Sequence, residues 1–281
     1  MTQSPHRHII VTSHGSIAVE ENGQNGIPVL LIHGNSSCRG VFRHQLRGRL
    51  VDNHRLITFD LPGHGESSNA SNPNRSYSLG GLADAAVEVL DKMGVTEAVV
   101  FGWSLGGHIG IEMMSRFSGM RGLMITGAPP VKPGKMIEGF NSSPHMGAAG
   151  KEELSEDDIE AFIQAIFGKS AEPFLHDAMA RTDGRFRKRL FEAAHAGEGV
   201  DQRLTVESSP TPLAIVNGGA DNIVKLDYFD TVAYANLWEG RCHRLDGASH
   251  AAFWEAPGDF DLILEHFLQD IESGRVTTRK S

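Results

Sequence analysis

Short, continuously apolar segments alternate with segments of helical periodicity along most of the chain. The apolar segments predict eight strands, at residues 9–11, 17–20, 29–33, 55–60, 98–102, 122–126, 213–217 and 242–245. Several of these segments have no polar face, which is typical of parallel strands buried on both sides of a sheet. The first two segments lie close enough along the chain to form a hairpin at one edge.

Apolar residues at helical spacing lie between the predicted strands. The stripe in residues 82–93 predicts a helix, with Ser78 as its N-cap and Gly94 just past its end. A second stripe in residues 260–271 predicts a helix near the C-terminus, and Pro257 suits its first turn. Alternating strands and helices predict an α/β fold in which parallel strands are joined by right-handed crossovers.

The alternation stops at residues 131–207, where the pattern predicts no strand. Ser155 and Asp158 have the spacing of a capping box, and apolar residues follow at helical spacing through residues 159–167. Two more helices are expected, at residues 172–181 and 185–196. We interpret this stretch as a helical insertion that lies over one end of the sheet.

The insertion divides the chain into a core and a cap. Residues 1–130 and 208–281 are expected to form the core, and residues 131–207 the cap or lid. The basic run at 185–189 suggests either an anion site or a solvated helix face, and we expect the solvated face because charge runs commonly lie there. Residues 273–281 carry no apolar period and are expected to be frayed.

Charge and cysteine content narrow the class of protein. The chain has 26 Lys and Arg against 35 Asp and Glu, a net charge of -9, which disfavours nucleic acid as a partner. Two cysteines, Cys38 and Cys242, suit a reducing compartment better than a disulfide framework. The first residues lack the long apolar core and cleavage site typical of a signal peptide, and no segment approaches the roughly 20 apolar residues that span a membrane, so we expect neither secretion nor membrane anchoring. We expect a cytoplasmic protein with no membrane partner, whose oligomeric state is open.

Residues 102–106, with the sequence GWSLG, form the strongest functional motif. They fit G-x-S-x-G, the nucleophile elbow, in which a sharp strand-to-helix turn exposes a serine hydroxyl. The apolar strand AVVFG precedes the motif and a helical pattern follows it, as an elbow requires. A Cβ at Gly102 or Gly106 would clash where the helix folds back against the strand. Ser104 is therefore the candidate nucleophile.

His33-Gly34-Asn35 follows the strand PVLLI and contains a candidate oxyanion hole. Such a hole needs two backbone N–H groups aimed at one point. One is expected from Leu105, the residue after the nucleophile, and the other from Asn35. The alternative interpretation is an ordinary strand-to-helix turn, which the motif alone does not exclude.

Asp221 and His250 are the candidates for the acid and the base. Asp221 lies in NGGADNIV just beyond a predicted strand, and His250 lies in a short loop after the last strand. A carboxylate at the end of a strand is well placed to orient a histidine, although aspartate is also common in turns. Asp227 and Asp230 are rival carboxylates, but both fall in the helical stretch that follows.

Metal and cofactor motifs are missing from the sequence. The chain has no zinc-binding spacing of His and Cys and no Gly-rich motif for a dinucleotide or nucleotide. We therefore expect a metal-free mechanism that uses no cofactor.

Taken together, these motifs resemble the α/β-hydrolase family. LLIHGN, FDLPGHGESS, VVFGWSLGGHIGIE, VNGGADNIV and GASHAAF stand in the order and spacing of that family. The resemblance extends over residues 9–271 and implies an eight-stranded, mostly parallel sheet with an inserted helical cap. It also implies a triad in the order serine, acid and histidine: Ser104, Asp221 and His250.

A narrower resemblance is to the metal-independent N-acyl-homoserine lactonases of this fold. It lies in IHGNSS, GWSLGGHIGIEM, RGLMITGAPPV and NLWEG. It implies a serine hydrolase that opens a small-molecule acyl lactone, a quorum-quenching activity. Lactonases of this type can carry Glu as the triad acid, where this chain has Asp221.

An aliphatic acyl chain would need an apolar slot, for which Trp103 and Phe140 are candidate walls. The alternative interpretation is that either side chain belongs only to the apolar core. Three alternative functions stay open at this stage. The first is a carboxylesterase of short acyl esters. The second is a carbon–carbon bond hydrolase or perhydrolase with the same triad. The third is a ligand-binding receptor on a hydrolase scaffold, since fold alone does not decide function.

Overall fold

A single mixed sheet forms the centre of the computed structural model, which describes residues 4–142 and 147–276. The strands are β1 (His6–Thr12), β2 (Gly15–Asn22), β3 (Val29–Ile32), β4 (Leu56–Phe59), β5 (Ala98–Trp103), β6 (Met120–Thr126), β7 (Leu213–Gly218) and β8 (His243–Leu245). All eight predicted strands are therefore confirmed, with ends that differ by no more than a few residues.

The strands lie in the order β1-β2-β4-β3-β5-β6-β7-β8. The β1–β2 and β2–β4 pairs are antiparallel, and every other neighbouring pair is parallel. The predicted hairpin is thus confirmed at one edge. Every residue of β3, β4, β5 and β7 is buried, which explains their continuous apolar sequences.

Helices cover both faces of this sheet and one end of it. They are α1 (Arg43–Arg47), α2 (Pro73–Ser76), α3 (Leu79–Lys92), α4 (Leu105–Met113), α5 (Met136–Gly139), α6 (Glu156–Phe167), α7 (Pro173–Arg181), α8 (Gly184–His195), α9 (Gln202–Ser208), α10 (Leu226–Phe229), α11 (Ala252–Glu255) and α12 (Pro257–Glu272). Short 3-10 turns lie at Arg39–Phe42, Arg49–Asp52, Gly168–Ser170 and Trp238–Gly240.

Local signals set the ends of the two predicted core helices. The Ser78 side chain accepts a hydrogen bond from the backbone N–H of Gly81 and caps α3, and Gly94 follows the helix at a φ of 68°. Pro257 is the first residue of α12. Helices α3 and α4 pack on one face of the sheet, and α1 and α12 pack on the other, so each face has its own apolar core.

The described residues between β6 and β7 form helices and no strand. The side chain of Ser155 accepts from the backbone N–H of Asp158, and the Asp158 carboxylate accepts from the backbone N–H of Ser155. This capping box begins α6 as predicted. Phe140 forms an isolated antiparallel β-bridge with Val224. Residues 143–146 and 277–281, which belong to the predicted cap and tail, lie outside the described residues.

The basic run at 185–189 is only partly solvated, so the expectation of an exposed helix face was wrong for one member. Arg187 is 4% exposed. Its guanidinium donates to the backbone carbonyls of Lys151 at 2.7 Å, Glu152 at 3.1 Å and Thr182 at 3.3 Å. Arg187 lies with the buried Phe186 on the side of α8 that faces the protein interior. The backbone carbonyls there accept hydrogen bonds from its guanidinium and so offset the cost of removing the charge from water.

Candidate active site

The turn from β5 into α4 holds Ser104 in a strained conformation. Its backbone has φ 52° and ψ -117°, values that residues other than glycine rarely adopt. A Cβ on Gly102 would lie 2.2 Å from the carbonyl oxygen of Gly106, and a Cβ on Gly106 would lie 2.0 Å from that of Ile32. The two glycines therefore allow the close crossing of helix and strand that exposes the serine, as the sequence predicts.

Asp221 and His250 meet although 29 residues separate them in the sequence. His250 Nδ1 lies 2.8 Å from Asp221 Oδ2, and both side chains are almost fully buried. The other carboxylate oxygen of Asp221 accepts from the backbone N–H groups of Ile223 and Val224. Burial raises the pKa of Asp221, but the neighbouring His250 and these hydrogen bonds outweigh it, so the pKa lies below its ordinary value.

The rival carboxylates lie elsewhere. Asp227 and Asp230 are exposed and pair with Arg244, so neither contacts the histidine. His250 is held further by Trp103, whose indole Nε1 donates to the His250 backbone carbonyl at 3.0 Å. A Cβ at Gly127 would lie 2.6 Å from the imidazole Cε1, so a larger residue there would displace the ring.

The loop after β3 is held in place by two buried imidazoles. Nε2 of His64 accepts from the backbone N–H of Ser36 at 3.3 Å, and Nε2 of His33 accepts from that of Leu61 at 3.0 Å. Burial lowers the pKa of both rings, which keeps them neutral and able to accept. Sequence analysis did not assign these roles, because they depend on contacts between distant loops.

Asn35 and Leu105 line the same cavity as Ser104. Within residues 4–142 and 147–276, neither backbone N–H donates to another group. The Asn35 side chain is occupied: its Nδ2 donates to the carbonyl of Ala149 at 3.0 Å, and its Oδ1 accepts from the Ser36 hydroxyl. Two free N–H groups therefore border the cavity beside the serine.

The cavity itself is small and mostly apolar, with a volume of about 100 Å³. Its lining residues are Asn35, Ser104, Leu105, His108, Met136, Phe140, Ala149, Phe162, Ala165, Ile166, Leu190, Phe191, Ile223 and His250. Phe140 is thus placed in the wall. Trp103 lies instead on a narrow cavity of about 10 Å³, which shares Asn35, Phe162 and Ile166 with the larger one.

His108 is a polar lining residue that sequence analysis missed. It stands four residues after Ser104, within α4, and both side chains line the same cavity. Its ring contacts Gln202, which is 94 residues away in the sequence. The spacing of four residues was the available signal, but an isolated histidine in a helix gave no reason to use it.

The described residues contain no group of three or more His, Cys, Asp or Glu side chains that could hold a metal ion. Among the helices of residues 4–142 and 147–276, none is both long and apolar enough to cross a membrane.

The strand order, the elbow and the buried Asp–His pair define a class of hydrolase. The model of the alpha/beta hydrolase family matches residues 29–260, and the chain belongs to that family. The chain is 49% identical to the N-acyl homoserine lactonase AidH in a complex with N-butanoyl homoserine. The match covers 95% of this chain and 97% of that chain, with a TM-score of 0.93.

Two variants of AidH are similar to this chain at 48% identity. In one, a serine is replaced by glycine and the ligand is N-hexanoyl homoserine lactone. In the other, a glutamate is replaced by glycine and the ligand is N-hexanoyl homoserine. More distant relatives include a pimeloyl-[acyl-carrier protein] methyl ester esterase of Aeromonas hydrophila, 28% identical over 90% of this chain and 99% of that protein. The AB hydrolase superfamily protein YisY of Bacillus subtilis is 23% identical over 92% of this chain and 98% of that protein.

Proposed function

We propose that this protein is a serine hydrolase that opens the lactone ring of N-acyl-homoserine lactones. The observation that carries the proposal is the hydrogen-bonded pair of His250 and Asp221, which borders the same cavity as the elbow serine Ser104. The likeness to AidH over nearly the whole chain supports the substrate class.

The AidH variants support the assignment of individual residues. The serine and the glutamate replaced in them are the same distance apart in sequence as Ser104 and Asp221 here. We infer that Ser104 is the nucleophile and that Asp221 fills the position of the glutamate. The shorter carboxylate still reaches His250, since Oδ2 lies 2.8 Å from Nδ1.

Acylation uses the hydroxyl of Ser104. The ionised Asp221 accepts a hydrogen bond from Nδ1–H of His250, so the proton stays on Nδ1 and the lone pair on Nε2 can take the serine proton. Ser104 Oγ then bonds to the ring carbonyl carbon, and the ring C–O bond breaks as His250 returns the proton to the leaving oxygen. Because the ester was a ring, the leaving alcohol stays attached to the acyl group.

Deacylation repeats the same proton transfers, with water in place of the serine hydroxyl. His250 takes a proton from water, the hydroxide bonds to the acyl carbon, and the proton passes to Ser104 Oγ as the ester bond breaks. The product is N-acyl-homoserine, whose new carboxyl group releases one proton to solution. In both steps the backbone N–H groups of Asn35 and Leu105 stabilise the negative oxygen, and one such donor contributes about 3 kcal/mol.

The lining of the cavity suits an aliphatic acyl chain. Apart from the proposed catalytic groups and His108, its side chains are apolar, and several of them belong to α5, α6 and α8. We infer that residues 131–207 act as the cap that builds the acyl slot, with Phe140 in its wall and Trp103 beside its extension. We also place the protein in the cytoplasm, where a diffusible lactone can reach it, and both cysteines are free.

The test is base uptake at constant pH with N-hexanoyl-homoserine lactone, using wild type and Ser104→Ala with and without prior chelator treatment. We expect rapid acid release by the wild type that a chelator does not change and that the variant lacks. If the wild type leaves the lactone intact but cleaves p-nitrophenyl acetate, the lactonase proposal is wrong and an esterase remains. If the wild type binds the lactone without turnover, the receptor alternative is correct.

A further inference from the structure

His108 is held in one orientation by Gln202. The ring Nδ1 lies 2.7 Å from Oε1 of Gln202, and the Gln202 amide nitrogen lies 3.5 Å from the His108 backbone carbonyl. An amide nitrogen donates and a carbonyl accepts, so this arrangement leaves Gln202 Oε1 facing the ring as an acceptor. Nδ1 of His108 must then carry the proton, and Nε2 carries a lone pair.

The lone pair on Nε2 has no partner. Nε2 of His108 is buried and makes no hydrogen bond in the structure. Burial also lowers the pKa of this imidazole, with His250 nearby acting in the same direction, so the ring stays neutral. A buried acceptor without a donor costs free energy, and such groups are uncommon unless something else satisfies them.

The cavity offers no other unused acceptor of this kind. Of its described polar lining side chains, Ser104 and His250 belong to the proposed catalytic machinery. Both polar atoms of the Asn35 side chain are already bonded, to Ala149 and to Ser36. His108 therefore supplies the cavity with one acceptor that the reaction itself does not use.

The position of His108 matches a particular group on the substrate. His108 follows Ser104 by four residues and lines the same cavity, so it borders the space that a substrate attacked by Ser104 would occupy. In an N-acyl-homoserine lactone the amide nitrogen is attached to the carbon beside the ring carbonyl. Its N–H is the one strong hydrogen-bond donor of the molecule.

We propose that Nε2 of His108 accepts a hydrogen bond from the amide N–H of the substrate and so selects acylamino lactones over lactones without that donor. This inference rests on the proposed lactonase function and specifies how the same site chooses its substrate. His108 acts as a specificity residue and takes no proton from the reacting atoms.

The test compares two substrates. One is N-hexanoyl-homoserine lactone, and the other is its carba analogue, in which CH2 replaces the amide NH and the rest of the molecule is the same. The measured quantity is the ratio of their kcat/KM values. We expect the wild type to prefer the amide by about 5- to 100-fold, the range for a hydrogen bond whose loss leaves a buried group unpaired.

Two variants separate the acceptor from the fold. His108→Asn keeps a donor where Nδ1 stands, toward Gln202, and removes the acceptor at Nε2. His108→Gln places a carbonyl oxygen near Nε2 and gives up the Gln202 contact. We expect the asparagine variant to lose the preference for the amide, and the glutamine variant to retain most of it.

Four outcomes decide the matter. A preference that is lost with asparagine and retained with glutamine supports the inference. Equal rates of the wild type on both lactones overturn it while leaving the lactonase function intact. A preference that survives in His108→Asn also overturns it. No turnover of either lactone by the wild type would instead refute the proposed function. If the asparagine variant does not fold, the wild-type ratio and the glutamine variant decide.

Discussion

Asp261 is a buried carboxylate in α12, and we predict that its replacement by asparagine stabilises the fold. The residue is 5% exposed, and burial raises its pKa from 3.8 to about 6. Its Oδ1 accepts from Nε2 of Gln45 at 2.9 Å, while Oε1 of Gln45 is buried without a partner. The carboxylate thus lies where burial favours a neutral group over a charged one.

The magnitude follows from the pKa. One pKa unit corresponds to about 1.4 kcal/mol, so the ionised carboxylate destabilises the fold by roughly 3 kcal/mol at neutral pH. Because the folded pKa lies above the unfolded one, this cost is absent below about pH 4 and develops as pH rises to about 6. In Asp261→Asn the amide oxygen can still accept from Nε2 of Gln45, and no charge is buried. We expect a gain of about 1–3 kcal/mol in the free energy of unfolding near pH 8.

The assay is urea unfolding of wild type and Asp261→Asn at several pH values between about 4.5 and 8. The gain should grow as pH rises from about 4.5 to about 6 and then level off up to pH 8. Asp259→Asn is the matched control, since Asp259 lies in the same helix but is exposed. Asp259→Asn should change the free energy of unfolding by no more than about 0.5 kcal/mol. A gain in Asp261→Asn that is equal at both ends of the pH range, or no gain at all, would refute the reasoning.

Two further predictions concern the proposed triad and the helical segment between β6 and β7. Asp221→Asn keeps the shape of the carboxylate but no longer favours the proton on Nδ1 of His250, so kcat for lactone opening should fall by about 10⁴-fold with little change in unfolding. Asp227→Asn is its control, and similar rates for the two variants would contradict the proposed triad. Arg187→Met removes the donors to the backbone carbonyls of Lys151, Glu152 and Thr182, and it should lower the free energy of unfolding, measured in urea, by roughly 2–4 kcal/mol. The exposed Lys188→Met should change it by less than about 0.5 kcal/mol, and equal losses would show that the carbonyl contacts are unimportant.

The sheet and the elbow were predictable because their signals are local. A strand buried on both faces must be apolar along its whole length, and a strand-to-helix crossing at Ser104 must have small residues on either side. The caps Ser78 and Ser155 act within three residues of themselves, so their spacing alone indicated where α3 and α6 begin.

The contacts that organise the site depend on distant partners. The burial of Arg187 was not predicted, because a basic run on an amphipathic helix is usually exposed to solvent. Only the folded structure shows the backbone carbonyls that accept hydrogen bonds from its side chain. The role of Trp103 was also different from a simple wall of the main cavity: its indole holds the backbone of His250. Neither contact follows from spacing along the chain.

The sequence by itself determined the α/β sheet and the elbow at Ser104, and it singled out Asp221 and His250, whose side chains the structure brings together. Only the tertiary structure decided which polar groups in the cavity are already bonded and which are free. It showed that the side chain of Asn35 is occupied, whereas Nε2 of His108 is not. The physical reason is that hydrogen bonds of buried groups are satisfied between segments far apart in the chain, so the free groups are known only when the segments have packed.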